Sequence, residues 1–311
     1  MDKKKITSLI VILMVFFTSA FSSFAGYVTG AKSFKYDGLT IPKYDGDSYE
    51  KVHKNDPRFT SAQKEEGLEA FEIYSSLDKK GRARVAFASL CYELMPTVKR
   101  GSISMVKPTG WVQKKYSIVS GGWLYNRCHL IGYQLTGVDG VGDKADFLKR
   151  DLITGTRYLN VGKNGQNGMV KFENKVAAYL KSHTGNHVLY RVTPVYKYSN
   201  DKVARGVLME GESLEDEGIE FCVFCYNVQP GVAIDYQTGK SKLVNSKGQV
   251  KQTTKKSTTK KSTTKATGGN CYITPTGKRY HLSKSCAGKN ATKSTIKKAK
   301  SKGLTPCKKC A

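Results

Sequence analysis

Hydrophobic positions along the chain fall into distinct patterns, and each predicts a different element. Residues 6–17 are almost continuously apolar, follow Lys3, Lys4 and Lys5, and are trailed by Ser23-Phe24-Ala25 and then Gly26. A basic start, a short apolar core and a small-x-Ala step predict a secretory leader over residues 1–25, with the mature chain beginning near Gly26. The apolar core is near 12 residues, where a membrane-spanning helix needs about 20, so cleavage is favoured over anchoring. Residues 84–91 and 218–228 are apolar runs rich in β-branched and aromatic side chains, and 187–192 alternates, which predicts three strands. Residues 171–182 instead space Phe172, Val176, Tyr179 and Leu180 at helical intervals and stop before Gly185, which predicts an amphipathic helix. The body, residues 26–236, therefore reads as α+β, with a central antiparallel sheet and at least one helix.

Beyond the body the pattern changes. Residues 237–269 hold no aromatic side chain, and Lys255-Lys256-Ser-Thr-Thr is repeated at once as Lys260-Lys261-Ser-Thr-Thr. Such a stretch cannot bury enough apolar surface to fold, so it predicts a disordered Lys/Thr/Ser-rich linker. A second compact piece follows over residues 270–311, with its own Tyr, Leu and Cys residues and a helical candidate at 292–302. Charge sharpens this division. Of the formal +27 carried by 311 residues, 20 positive charges lie in residues 237–311 with no Asp or Glu and +2 lies in residues 1–25, which leaves only +5 on the body. A polyanion is the expected partner of this tail, either nucleic acid or an anionic cell-wall polymer.

Candidate chemistry is concentrated in Asn126-Arg127-Cys128-His129. Arg127 and His129 are two residues apart, so on an extended segment they share a face, where one can hold a phosphate while the other handles a proton. Further on, Asn160 and Glu173 offer the hard oxygen donors that Mg²⁺ prefers, too few for a complete cage but enough for a cation that keeps its waters. Each has a plainer reading: a structural histidine, a turn asparagine, a solvated glutamate.

Taken together, these residues resemble the DNA/RNA non-specific endonucleases with a ββα-metal motif, in particular the secreted and DNA-entry nucleases of Gram-positive bacteria. The resemblance runs from Gly38 to Tyr236. It rests on Met95-Pro96-Thr97, Lys107-Pro108-Thr109-Gly110-Trp111, the run from Asn126 to Gln134, Asn160, Phe172-Glu173-Asn174, and the run from Tyr226 to Tyr236. It implies a ββα-metal nuclease fold in which His129 is the general base, Asn160 is the side-chain ligand of a hydrated Mg²⁺ (with Mn²⁺ able to substitute), Glu173 holds the metal's waters, and Arg127 is the motif arginine. The implied activity is hydrolysis of DNA and of RNA with little sequence preference, by a secreted protein that its basic tail could hold at the cell wall. Two departures stand out. Asn126 and Cys128 occupy the Asp and Gly positions of the broad Asp-Arg-Gly-His signature, and Asp151 stands where this branch usually carries Asn. The competing reading is a non-catalytic nucleic-acid or cell-envelope binding protein on a degenerate nuclease scaffold, which has no use for His129, Asn160 and Glu173 together.

The chain has eight cysteines, and export would permit them to oxidise. Cys222 and Cys225 are three apart in a predicted strand and so face opposite sides, which makes them poor joint ligands and better core thiols. Cys91 and Cys128 could pair with either of them or with each other. In the last module His281, Cys286, Cys307 and Cys310 form a pattern suited to tetrahedral zinc, and resemble a small Cys/His module appended to secreted bacterial nucleases. Disulfides that include Cys271 are the alternative.

Overall fold

The computed structural model describes residues 27–28, 32–137, 145–245 and 269–310, so the expected leader and most of the expected linker lie outside the described residues. The chain divides into two compact units, residues 1–251 and 252–311. Among the described residues no helix is long and apolar enough to cross a membrane.

In the first unit, short strands β1 (Tyr27–Val28), β2 (Phe34–Tyr36), β3 (Leu39–Ile41) and β4 (Tyr49–Lys51) precede β5 (Phe71–Tyr74), β6 (Ala86–Leu90), β7 (Tyr125–His129) and β8 (Leu152–Thr156). Then follow β9 (Val188–Val195), β10 (Gly206–Ser213), β11 (Glu220–Tyr226), β12 (Val232–Asp235) and β13 (Ser241–Leu243). Six of them form the central sheet in the order β4-β11-β10-β9-β6-β5, antiparallel throughout. The three predicted strands are thus β6, β9 and β11.

Both faces of this sheet are covered, which explains why β11 reads as a nearly unbroken apolar run. Val192, Val207, Met209 and Cys225 face a cluster that includes Phe172, Val176 and Leu180 of the helix Met169–Ser182. Leu208, Cys222 and Phe224 face the opposite cluster, closed by Leu39, Ile41 and Tyr158. Cys222 and Cys225 therefore do lie on opposite faces, as buried core thiols, and all eight cysteines are free. Within the sheet one acid is fully buried: Glu210 accepts from Arg191 Nε and Nη2 at 2.8 and 2.9 Å and from Arg58 Nε at 3.2 Å.

The body does not stop at Tyr236. β13, inside the stretch that reads as linker, pairs with β12, Tyr116 Oη and Ser241 Oγ are 2.8 Å apart, and Tyr125 Oη donates to the Gly239 carbonyl at 2.9 Å. Order continues because Asp235 organises the connecting turn, its carboxylate accepting from the Gln237 N–H at 3.0 Å and from the Thr238 hydroxyl at 2.5 Å.

The second unit is small. β14 (Asn270–Ile273) pairs antiparallel with β16 (Thr292–Thr295), and β15 (Arg279–Tyr280) pairs parallel with β17 (Thr305–Pro306). The expected helix at 292–302 is only half present: residues 292–295 are strand, and the helix is Ile296–Ser301. Two threonines make the difference, since β-branched residues suit the strand and the Thr295 side chain accepts from the Lys298 N–H at 3.2 Å, capping the helix there.

Candidate active site

β7 and β8 form an antiparallel hairpin in which Arg127 lies opposite Thr154 and His129 opposite Leu152. Two short steps follow, the helix Arg157–Val161 and the helix Met169–Ser182, so two strands and a helix surround the motif. Asp151 locks the hairpin's far end. Its buried Oδ1 accepts from the backbone N–H groups of Leu130 and Ile131, both at 3.0 Å, while its carbonyl accepts the Leu130 N–H at 2.8 Å. A carboxylate at this position thus fixes the chain leaving His129.

Two glycines allow close packing around Asn160 and around Glu173. A Cβ on Gly168, which caps the Glu173 helix, would stand 2.6 Å from the Asn160 carbonyl oxygen. One on Gly132, three residues after His129, would stand 2.7 Å from Glu173 Oε2. Glu173 is buried in the first half of its helix. Burial pushes its carboxyl up to about 7, with nearby His129 and a Gln134 hydrogen bond pulling it down and the charge of Asp151 adding to the rise.

The departure at Cys128 has a structural counterpart. Its thiol is buried, and a Cβ on Gly155, in the facing strand, would lie 2.2 Å from Cys128 Sγ. The sulfur fills the space that Gly155 leaves open, and burial pushes the thiol far above its ordinary pKa. Cys128 is therefore packing, not a nucleophile.

Arg127 is partly committed. Its Nη2 donates to the Ser104 carbonyl at 2.8 Å, its Nε donates to the Val106 carbonyl, and the guanidinium lies 4.5 Å from the centre of the Trp111 ring. It nevertheless lines an open cleft of about 710 Å³ together with Asn126, Arg157 and Asn160. Guanidinium and amide donors thus share one concave surface.

Residues 61–214 match the family model for DNA/RNA non-specific endonuclease. The body of this chain belongs to that family. Its fold is similar to that of NucA from Streptococcus agalactiae, at 23% identity and TM-score 0.54 for the form with no metal bound, covering 68% of this chain and 90% of that one. The magnesium-bound form of the same protein matches at 22% identity and TM-score 0.53, covering 74% and 95%. Sda1 nuclease with a bound zinc ion matches at 24% identity and TM-score 0.52, covering 65% and 98%.

For an endonuclease of this family, sequence reasoning misses Arg157 and the three glycines. Arg157 carried a signal, being three residues before Asn160 and so on the same helical face. The glycines carried none, since their role is the absence of a Cβ at contacts that form only in three dimensions.

The endonuclease is followed by a second cluster in the small unit. Ligand atoms of His281, Cys286, Cys307 and Cys310 all lie within 4.8 Å of one another. Cys286 Sγ and Cys307 Sγ are 3.8 Å apart, and Cys310 Sγ and His281 Nδ1 3.6 Å. A disulfide would need about 2.05 Å, whereas two thiolates bound tetrahedrally at about 2.3 Å each stand about 3.8 Å apart. The Lys309 N–H holds the Cys307 thiol below its ordinary pKa, while hydrogen bonding to Cys310 pushes Cys286 up to about 11. Three thiols this close ionise together only beside a cation. Cys271 is elsewhere, buried with Tyr280 and Ala299.

Proposed function

We propose that this protein is a secreted, Mg²⁺-dependent endonuclease that hydrolyses phosphodiester bonds of DNA and RNA with little sequence preference. The observations that carry the reading are the approach of His129 and Glu173 at the end of β7 and the open cleft that Arg127, Arg157 and Asn160 line together. In this reading an imidazole nitrogen of His129 takes the proton of the attacking water, which suits a group with an ordinary pKa near 6.5. Asp151 keeps the turn after His129 in place, and Gly132 lets Glu173 approach it. Arg157, and the part of Arg127 not bonded to the loop carbonyls, attract the phosphate. Phosphate contacts carry no base information, so low sequence specificity follows.

The donors suit a hard divalent cation: Asn160 offers an amide oxygen, and Glu173 is a buried carboxylate whose charged form lacks solvation. Once bound, Mg²⁺ or Mn²⁺ would supply electrostatic stabilisation of charge on the leaving oxygen. Glu173 would hold its water ligands and Asn160 would be its side-chain ligand. Incubating the protein with supercoiled plasmid should yield nicked and then linear DNA only when Mg²⁺ is added. Undiminished cutting in excess EDTA would contradict the metal assignment, and binding without cutting would favour the degenerate scaffold.

For the small unit the proposal is one zinc held by His281, Cys286, Cys307 and Cys310, because the 3.8 and 3.6 Å separations match the edges of a zinc tetrahedron. Elemental analysis should find about one zinc per chain. No metal, with that peptide lighter by about two daltons for each S–S bond formed, would decide for disulfides. Export is supported by the leader pattern of residues 1–25, and the acid-free tail by its charge favours retention on polyanions, nucleic acid or cell-wall polymer.

A further inference from the structure

The cleft beside Asn160 contains both tryptophans of the chain, and hydrolysis by itself uses neither. Trp111 is engaged, with the Arg127 guanidinium 4.5 Å from its ring centre and Tyr125 at 6.4 Å between centroids. Trp123 is different. Lys115 Nζ lies 4.4 Å from its ring centre, yet the residue remains 48% exposed at the cleft edge. Among the described residues, Arg100 and Arg157 line the same cleft and no carboxylate does. Arg157 also lines an adjoining cavity of about 400 Å³ with Lys163, again without a carboxylate. Arg157 lines both cavities, and Arg100, Arg157 and Lys163 with the exposed indole define a basic track.

We propose that this track takes one unpaired nucleic-acid strand, stacking a base on Trp123 and seating phosphates on Arg100 and Arg157, so that the enzyme prefers single strands and loops to intact duplex. The inference rests on the nuclease reading and names its substrate class. Stacking is the discriminating contact. In a duplex each base face is covered by its neighbours, whereas every unpaired base offers a free π-face whatever its identity, so the preference costs no sequence tolerance. Arginines alone would serve both substrates, since phosphates are present in both.

The test uses full-length, zinc-loaded protein without added Mg²⁺ at physiological salt, titrated with an oligo(dT) strand and with a hairpin duplex of equal phosphate count. Intrinsic fluorescence reports the cleft, because both tryptophans line it. The strand should quench saturably and bind about tenfold more tightly than the duplex. Trp123→Ala, followed by anisotropy of labelled strand, should weaken strand binding about tenfold and leave duplex affinity unchanged, with Trp123→Phe recovering most of the loss. Equal affinity and quenching for strand and duplex would overturn the proposal. So would Trp123→Ala weakening both equally, or neither. The measurement reads binding without turnover, so its failure would leave hydrolysis standing, and a failure of hydrolysis would leave strand binding readable.

Discussion

The nuclease body and the Cys/His unit hold their shapes by different means. In the body two extensive clusters of buried side chains press on the two faces of one antiparallel sheet, and even the buried Glu210 is matched by two arginines. The small unit buries Cys271, Tyr280 and Ala299, with Ile273, Ile296 and Leu304 packed around them, and has no Asp or Glu to pair with its lysines. A core that small does not outweigh chain entropy unaided, and the proposed zinc would contribute what burial does not. Where burial dominates, site geometry is set by packing; where it is scarce, the proposed zinc would itself hold the fold.

Removing the metal should break this contrast most sharply. Structural zinc contributes on the order of 10 kcal/mol in small domains, so a zinc chelator or Cys307→Ser should unfold the small unit while the body stays folded. Amide dispersion by NMR would follow both at once. A small unit that stays ordered without metal would contradict the reading.

Within the body the next effect concerns Glu173. Its raised folded pKa means that below about 4.5 both states are protonated and full stability is present; between there and about 7 the unfolded chain ionises first and stability is lost as pH rises. The metal-free body should lose roughly 3 kcal/mol over that interval, and Glu173→Gln should flatten the dependence. Urea midpoints in EDTA at pH 5 and pH 8 would measure both, and an unchanged slope in the variant would refute the assignment.

A smaller effect is expected where Cys128 packs on Gly155. Gly155→Ala forces its Cβ onto the sulfur and should cost about 1–3 kcal/mol, while adding Cys128→Gly should return part of that in a double-mutant cycle. Additive effects would mean that the two positions are not coupled. The tail should affect stability least. Ending the chain after Asn245 should leave turnover on short DNA at saturation nearly unchanged. It should also flatten the salt dependence of binding, by about 0.9 in log–log slope for each phosphate that the tail neutralises in the full chain. The cut belongs there and not after Tyr236, because β13 is part of the body.

Most of the body was legible in the sequence, for physical reasons. β11 is apolar on both faces, the helix Met169–Ser182 shows its buried stripe at helical spacing, and the motif around His129 carries a family resemblance. What was not legible depends on residues distant in sequence. β13 is only three residues long, and its partner is selected by the Asp235 turn and by Tyr116. The strand at Thr292–Thr295 is selected by pairing with Asn270–Ile273 against a helix-compatible lysine pattern. At the site, the resemblance supplied His129, Asn160 and Glu173, but that Arg127 spends two donors on the Ser104 and Val106 carbonyls, and that Trp123 stands exposed at the cleft, could be learned only from the folded chain.

The central claim is that the hairpin-and-helix site hydrolyses phosphodiester bonds with His129 as base. Its most direct test is the initial rate of plasmid nicking in Mg²⁺ by wild-type and His129→Ala protein, with melting curves and DNA affinity measured on the same samples. The variant should keep its fold and its affinity and lose about 10²-fold or more in rate, the contribution of a positioned base. A correctly folded variant that retained more than a few per cent of the wild-type rate would contradict the account.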